Sequence, residues 1–258
     1  MATLFDMRLR SMRRDRASRI GTELFLYERV FEDCVERLAL MRREFGKALM
    51  IGCPDPGWPE RLLTMVQSVE VADPGPLFAA AARGMTMVED AWEPRAQSYD
   101  LVLSIGTLDT VNDLPLAFRL AGHAMVADGL FMGALSGGET LPQLRTAMRA
   151  ADAIAGVAAP HVHPRIEASA LAPLLAEAGF QRPVVDLERV PVAYSSLSRL
   201  VSDLRAMGTT NVLGARPPSL ARAQYDEAAR AFAAAGSGGR TKETFEILHF
   251  AAWTAKRG

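Results

Sequence analysis

The chain of 258 residues has only two cysteines, Cys34 and Cys53, and no long uninterrupted apolar run. Two thiols cannot form the disulfide framework of a small secreted domain, so reduced thiols in a cytosol-like compartment are expected. A bilayer-spanning helix needs about 18 consecutive apolar residues, which the sequence lacks. Because the first residues also lack the apolar core of a signal peptide, we expect a cytoplasmic protein, with peripheral contact to an inner membrane left open.

The chain also lacks an excess of charge of either sign, and it lacks the motifs of several enzyme classes. The formal net charge is -1, so no overall field attracts nucleic acid or a membrane. The chain has no serine elbow, CxxC pair or Gly-Lys-Ser/Thr phosphate loop, so hydrolase, zinc-site and nucleoside-triphosphatase functions have little support. His161 and His163 alternate beside prolines without a matching ligand cluster, and we interpret them as loop residues rather than metal ligands.

Short apolar segments alternate with helix-like segments after Gly46. The predicted strands are Ala48–Ile51, Ser68–Ala72, Met85–Val88, Leu101–Ile105, Leu130–Leu135, Val184–Val192 and Phe245–Trp253. The predicted helices include Thr22–Glu44, Trp58–Gln67, Pro76–Arg83, Asp113–Val126, Leu141–Ile154, Glu167–Ala178, Leu197–Met207 and Ser219–Ala235. Apolar runs bounded by Gly, Pro and Asp are typical of strands buried on both faces of a parallel sheet, with helices on both sides. The pattern predicts an α/β fold.

Residues 1–45 are predicted to form a helical cap on an α/β domain that spans 46–258 and includes a helical insert at 196–236. The cap begins with a basic stretch, which contains Arg8, Arg10, Arg13, Arg14, Arg16 and Arg19 against Asp6 and Asp15. Three interpretations stay open: a solvated helix face, an arm that contacts an acidic partner, and an organellar presequence. The aspartates disfavour the presequence, because presequences are poor in acids.

The turn Gly52 to Gly57 follows the first predicted strand, and the second predicted strand closes on Asp73. A nucleotide-binding βαβ unit begins in this way: the ligand crosses the turn, and an acid about 20 residues beyond the glycine holds the ribose. We therefore predict that Gly52, Cys53, Gly57 and Asp73 bind a cofactor. The alternative for Asp73 is a turn residue before Pro74-Gly75, which needs no ligand.

Further polar residues follow the third and fourth predicted strands. Glu89 and Asp90 could accept a hydrogen bond from an adenine amine, or could be a solvated strand end. Ser104 and Gly106 lie at the carboxyl end of a strand, which is the edge where open α/β sheets bind ligands. Asp113 could simply cap the helix that follows. We predict that Glu89, Asp90, Ser104 and Gly106 belong to the same site.

Short motifs follow one another along nearly the whole chain. They are Leu4-Phe5-Asp6, Tyr99-Asp100-Leu101-Val102, Val111-Asn112-Asp113-Leu114-Pro115, Asp128-Gly129-Leu130-Phe131-Met132-Gly133-Ala134, Gly137-Gly138-Glu139-Thr140-Leu141, Pro160-His161, Ala178-Gly179-Phe180 and Met207-Gly208-Thr209-Thr210-Asn211. This ordered set resembles the class I S-adenosylmethionine-dependent methyltransferases. Within them it resembles the group that contains the biotin-pathway malonyl-carrier-protein methyltransferase and the mitochondrial complex I assembly factor that hydroxylates an arginine. The Gly-Gly-Glu-Thr-Leu and Met-Gly-x-x-Asn stretches are closer to the assembly-factor branch.

The resemblance implies a Rossmann-like, seven-stranded and mostly parallel sheet whose last strand is antiparallel, with S-adenosylmethionine as cofactor. It places the loop Gly52 to Gly57 under the methionine part of the cofactor, Asp73 on the ribose and Asp90 on the adenine. Ser104 to Thr107 would line the site, and the basic N-terminal helix and the insert Leu197–Ala235 would cover it. Arg145 is the residue expected to pair with an anionic substrate group, since a guanidinium binds a carboxylate bidentately. The alternative for Arg145 is a surface arginine on a helix.

The cofactor loop departs from the family pattern. Met50 stands where the family has an acid, Pro54 and Pro56 lie in the glycine-rich loop, and Asp109-Thr110 replaces a His-Trp pair. Losing one neutral and one charged hydrogen bond would weaken binding by about 2–4 kcal/mol. Three functions stay open: a methyltransferase acting on a protein or carrier-bound acceptor, an inactive methyltransferase fold that binds a partner such as a respiratory-complex subunit, and the malonyl-carrier-protein O-methyltransferase of biotin synthesis.

Overall fold

A seven-stranded sheet forms the centre of the computed structural model, which describes residues 3–217 and 219–256. The strands are β1 (Phe45–Ile51), β2 (Val66–Asp73), β3 (Met85–Thr86), β4 (Tyr99–Ile105), β5 (Met125–Ser136), β6 (Gln181–Tyr194) and β7 (Thr241–Trp253). Their order is β3-β2-β1-β4-β5-β7-β6. The first five strands pair in parallel, whereas β7 is antiparallel to β5 and β6. The predicted α/β class and the mostly parallel sheet with an antiparallel last strand are confirmed.

Helices pack on both faces of this sheet. They are α1 (Met7–Ile20), α2 (Phe25–Leu40), α3 (Trp58–Leu62), α4 (Pro76–Ala81), α5 (Leu114–Ala124), α6 (Pro142–Ala155), α7 (Ala168–Glu177), α8 (Leu197–Ala206) and α9 (Arg222–Ala234). Alternate residues of β1 point to opposite faces: Met50 shares a buried cluster with Phe31 of α2, and Leu49 shares one with Phe118 of α5. Burial on both faces explains why the central strands are continuously apolar.

Several element boundaries differ from the sequence-based predictions, among them those of one helix and of the edge strand. The helix predicted over Trp58–Gln67 ends at Leu62, because Val66 already pairs with Phe45 as the first residue of β2. The strand predicted over Met85–Val88 is limited to Met85–Thr86 at the exposed edge of the sheet. The predicted helices between the last two strands are present as α8 and α9.

Helix α1 lies over the carboxyl ends of β2 and β4, and its position is set by the residues around it. Asp6 caps the helix by accepting from Leu9 N–H at 2.9 Å. Just before the helix, Phe5 N–H donates to Asn112 Oδ1 at 2.8 Å and Asp6 N–H donates to Val212 O at 2.8 Å. The start of the chain is therefore held between the loop after β4 and the segment after α8.

In the described part of the chain, no helix is both long enough and apolar enough to cross a membrane.

Candidate functional site

Gly52 ends β1 in a conformation that favours glycine. Its φ is +87°, and a Cβ at this position would lie 2.2 Å from the carbonyl oxygen of Ile105. The Gly52 N–H donates to Ala72 O at 2.8 Å, and the Cys53 N–H donates to Asp73 Oδ2 at 2.9 Å. The turn after β1 therefore contacts the end of β2, and the structure brings Gly52, Cys53 and Asp73 together.

The rest of this turn has few N–H donors to offer a ligand. Pro54 and Pro56 have none, and the Gly57 N–H donates to Asp55 Oδ1 at 2.8 Å. The Cys53 thiol contacts Asp55 O at 3.1 Å, and burial raises its pKa to about 12, so it stays a neutral thiol. Hydrogen bonds inside the turn thus replace the open amide cradle that a glycine-rich loop provides.

Asp73 is fully buried, and Arg14 of α1 binds both of its carboxylate oxygens. Arg14 Nε lies 2.7 Å from Oδ1 and Nη2 lies 2.6 Å from Oδ2. The N–H groups of Cys53 and Gly75 donate to the same carboxylate, at 2.9 and 2.7 Å. Burial of Arg14 opposes its charge, but the neighbouring Asp73 carboxylate keeps the Arg14 pKa above its ordinary value. The guanidinium also lies over the Phe78 ring, 5.1 Å from its centroid.

A second buried ion pair lies one helical turn earlier. Arg10 Nη1 and Nη2 each lie 2.7 Å from a carboxylate oxygen of Glu89, and Nη2 also donates to Thr107 O at 2.5 Å. Arg10 is 3% exposed and Glu89 is 2% exposed. Because Arg10 and Arg14 are four residues apart, they point from the same face of α1. We call these two residues the arginine plug, since they bind Asp73, the acid predicted to hold the ribose, and Glu89, one of the two neighbouring acids considered for the adenine amine.

The carboxyl end of β4 is closed by an aromatic ring. Gly106 has a φ of +63°, and a Cβ there would lie 2.2 Å from a ring carbon of Tyr27. The Tyr27 hydroxyl donates to Met207 O at 2.7 Å, and burial raises its pKa to about 12. Ser104 is buried beside Thr107, with their hydroxyl oxygens 3.5 Å apart.

The space that remains beside the arginine plug is small. A cavity of about 60 Å³ is lined by Tyr27 and Gly106, and one of about 20 Å³ by Arg10, Arg14 and Gly106. Pockets that bind cofactors usually measure about 300–1,000 Å³. With Asp73 and Glu89 both paired to arginines, the residues present do not fit S-adenosylmethionine in this conformation. The cofactor-binding roles of Gly52, Cys53, Asp73, Glu89, Ser104 and Gly106 stay predictions.

Two other residues of the predicted site have partners outside the arginine plug. Asp90 accepts from the N–H of Asp113 at 2.9 Å, next to the N-terminus of α5. Arg145, on α6, donates from Nε to Thr140 O at 3.2 Å and from Nη2 to His163 O at 3.3 Å. Arg145 therefore holds loop carbonyls in place, and its predicted contact with a substrate stays a prediction.

The two histidines of the predicted loop face different partners. His161 Nε2 lies 2.7 Å from Asp152 Oδ1, and His163 Nε2 accepts from Val212 N–H at 2.8 Å. Within the described ranges, no group of three or more His, Cys, Asp or Glu side chains could hold a metal ion.

Sequence analysis missed the role of the arginine plug. Arg10 and Arg14 were part of a basic stretch with three open interpretations, and none of these was an intramolecular pair with Asp73 and Glu89. Their spacing of four residues was the available signal, because it places two cations on one helix face. The acids they bind are 79 and 59 residues away along the chain, which no local pattern reveals.

The most informative similarities are to curated proteins of one group. The chain is 30% identical over 267 residues to the mitochondrial arginine-hydroxylase NDUFAF5 of Danio rerio, covering 97% of this chain and 82% of that protein. It is 32% identical over 158 residues to the malonyl-[acyl-carrier protein] O-methyltransferase of Xylella fastidiosa, covering 60% of this chain and 52% of that enzyme. No family model matches the chain.

Solved structures agree on the fold. The YcgJ protein of Bacillus subtilis superposes with a TM-score of 0.60 at 11% identity, covering 89% of this chain and all of that one. Phosphoethanolamine N-methyltransferase 2 of Haemonchus contortus, solved with S-adenosyl-L-methionine, has a TM-score of 0.53 at 13% identity, covering 88% of this chain and 52% of that one. Together with the strand order and the family resemblance, these similarities show that the chain belongs to the class I methyltransferase family, in the group of the arginine hydroxylase NDUFAF5.

Proposed function

We propose that this protein is a binding or assembly factor built on the methyltransferase fold, and that it does not transfer methyl groups. The observation that carries the proposal is the arginine plug: Arg14 holds Asp73 and Arg10 holds Glu89, each through two guanidinium nitrogens. Side chains of the chain's own helix α1 thereby occupy two acids of the predicted cofactor site. The altered loop around Pro54 and Pro56 supports the same proposal.

The strength of these pairs explains why a cofactor would compete poorly. For an adenosyl group to reach Asp73 and Glu89, both arginines must leave their carboxylates, and breaking one buried ion pair costs about 3–5 kcal/mol. A ligand with micromolar affinity gains about 8 kcal/mol in total. Separating even one pair would therefore weaken binding by about 10²–10⁴-fold.

The partner in this proposal is another protein. The name of one kind of relative refers to malonyl-[acyl-carrier protein], so the substrate of that enzyme is carried by a protein. We extend this to the present chain as recognition of a protein partner, such as a subunit of a respiratory complex. The two buried free cysteines are consistent with a cytosol-like compartment.

Calorimetry and thermal unfolding with S-adenosylhomocysteine test the proposal directly. We expect no heat of binding and no change in melting temperature at millimolar ligand, because a ligand that binds the folded state must raise the melting temperature. Micromolar binding to the unaltered protein would refute the proposal.

A matched pair of variants tests the role of the arginine plug. In R10Q/R14Q the acids at Asp73 and Glu89 are released, and we expect measurable binding of S-adenosylhomocysteine to appear. The control is R8Q, which removes an exposed arginine from the same helix and is expected to behave like the unaltered protein. Circular dichroism confirms that each variant is folded before titration.

A further inference from the structure

A groove of about 500 Å³ lies between α1, α6 and α8, and its lining is strongly basic. None of its described lining residues is an aspartate or glutamate. We call it the arginine groove, because five arginines line it: Arg13, Arg16, Arg165, Arg205 and Arg216. This arginine groove adjoins the cavity beside Gly106, because Arg165 and Thr209 line both. Neither the arginine plug nor the predicted cofactor site accounts for its charge.

Three of these arginines have a buried nitrogen without a partner. The Nε atoms of Arg13, Arg16 and Arg165 are buried, and the N–H group of each has no hydrogen-bond acceptor among the described residues. The Arg165 side chain is only 6% exposed, and its nearest carboxylate oxygen, Asp109 Oδ1, lies 3.7 Å from Nη1, too far for a hydrogen bond. Unsatisfied buried donors are rare in native proteins, so they indicate a missing acceptor.

The positive charges are also poorly compensated. Arg16 donates to the neutral Thr210 hydroxyl at 2.9 Å, and Arg216 lies 3.7 Å from Asp6 Oδ2. Burial lowers the pKa of Arg13, and so do its neighbours Arg216 and Arg205. The pKa of Arg16 is lowered by burial and then by Arg13 and Arg205. A ligand with several negative charges would relieve this repulsion.

Apolar side chains form the floor of the same groove. Val162, Val201, Leu220 and Tyr225 line it alongside the arginines, and each of them is at least partly exposed. The arginines come from α1, α8 and two loops. An extended chain with several carboxylates and apolar side chains between them matches both the spread of charge and the apolar floor.

We propose that the arginine groove binds an acidic, amphipathic peptide segment of a partner protein, whose carboxylates pair with the arginines while its apolar side chains pack on Val201, Leu220 and Tyr225. This inference rests on the proposed function and names the kind of partner that the binding factor takes. Charge-assisted, bidentate arginine–carboxylate bonds would give both affinity and register.

Fluorescence anisotropy with the full-length protein tests the proposal. The probe is a short fluorescein-labelled peptide in which glutamate alternates with leucine, and we expect saturable binding that weakens with salt. In R13Q/R16Q we expect the affinity to fall about tenfold or more, while R8Q/R19Q, which changes two exposed arginines of the same helix, retains it. A peptide with glutamine in place of glutamate is expected not to bind.

Several outcomes would overturn the proposal. They are equal binding of the glutamine peptide, unchanged affinity in R13Q/R16Q, and arginine-dependent binding to vesicles of anionic lipid in place of the peptide. If R13Q/R16Q does not fold, R205Q/R216Q removes two exposed groove arginines instead and must show the same loss. Binding of S-adenosylhomocysteine to the unaltered protein would defeat the proposed closed cleft alone, whereas failure of the peptide assay would defeat the groove proposal alone.

Discussion

At the residue scale, the Asp73 carboxylate decides what the cleft can bind. A carboxylate has about four lone-pair sites, and Asp73 already accepts from two nitrogens of Arg14 and from the N–H groups of Cys53 and Gly75. The hydroxyls of a ribose would find no free acceptor on it. Glu89 accepts two hydrogen bonds from Arg10, so two acids of the predicted cofactor site bind α1 instead.

His163 gives the stability of the protein a predictable dependence on pH. Burial, followed by Arg165 and Arg145, lowers the His163 pKa from 6.5 to about 3. Below pH 6.5 the unfolded chain therefore takes up a proton that the folded chain excludes, so the free energy of unfolding falls as the pH falls toward about 3. Between about pH 7 and about pH 5, we expect a loss of about 2 kcal/mol from this residue.

Urea unfolding of H163Q at these two pH values checks the expectation. The glutamine oxygen can still accept from Val212 N–H, as Nε2 of His163 does at 2.8 Å, but it does not titrate. The variant is therefore expected to lose less stability on acidification than the unaltered protein. The exposed His123 provides the control H123Q, which keeps the original loss. Equal losses in H163Q and in the unaltered protein would contradict the assignment.

At the element scale, α1 is held mainly by its charges. Its buried residues are Arg10, Arg14 and Ala17, so only one of the three is apolar. Without the two ion pairs, little apolar burial would keep the helix on the sheet. In R10Q/R14Q we therefore expect the amides of α1 to exchange hydrogen about ten- to a hundredfold faster, which corresponds to about 1.4–2.8 kcal/mol of lost local stability.

Hydrogen exchange monitored by mass spectrometry measures this difference. Peptides from β4 and β5 are expected to keep their protection, because their residues are buried between the two apolar clusters on either face of the sheet. The R8Q variant controls for the loss of one charge on α1. Unchanged exchange in α1 of R10Q/R14Q would mean that the arginine plug does not anchor the helix.

The elements of this fold were largely predictable, because apolar periodicity is a local signal. Phe245–Trp253 was recognised as a strand, although β7 begins earlier, at Thr241. Asp73 and Glu89 could be assigned to one edge, since both follow strands that run in parallel. The resemblance implied that the basic N-terminal helix covers the site. The side chains of α1 that bind these acids could not be predicted, because they depend on contacts such as Phe5 with Asn112, which are 107 residues apart. The arginine groove could not be predicted either, because its arginines come from segments that lie far apart along the chain.

At the scale of the whole molecule, positive and negative residues are nearly equal in number but unevenly distributed over the surface. The chain carries 29 Lys and Arg against 30 Asp and Glu, yet the arginine groove has five arginines and no acid among its described lining residues. An electrically neutral protein can thus present a local site for anions, because the potential at a surface depends on the nearest charges and is screened within about 10 Å at moderate salt.

Inorganic phosphate tests this separation of charge through the melting temperature. At ten times its dissociation constant, an anion that binds only the folded state stabilises it by about 1.4 kcal/mol, or about 3–6 °C for a chain of this size. Phosphate also stabilises proteins by exclusion from their surface, so the informative quantity is the difference between the unaltered protein and R13Q/R16Q. We expect a smaller rise in R13Q/R16Q and no such difference in chloride at equal ionic strength. Equal phosphate effects on the two proteins would show that the groove arginines do not act together on an anion.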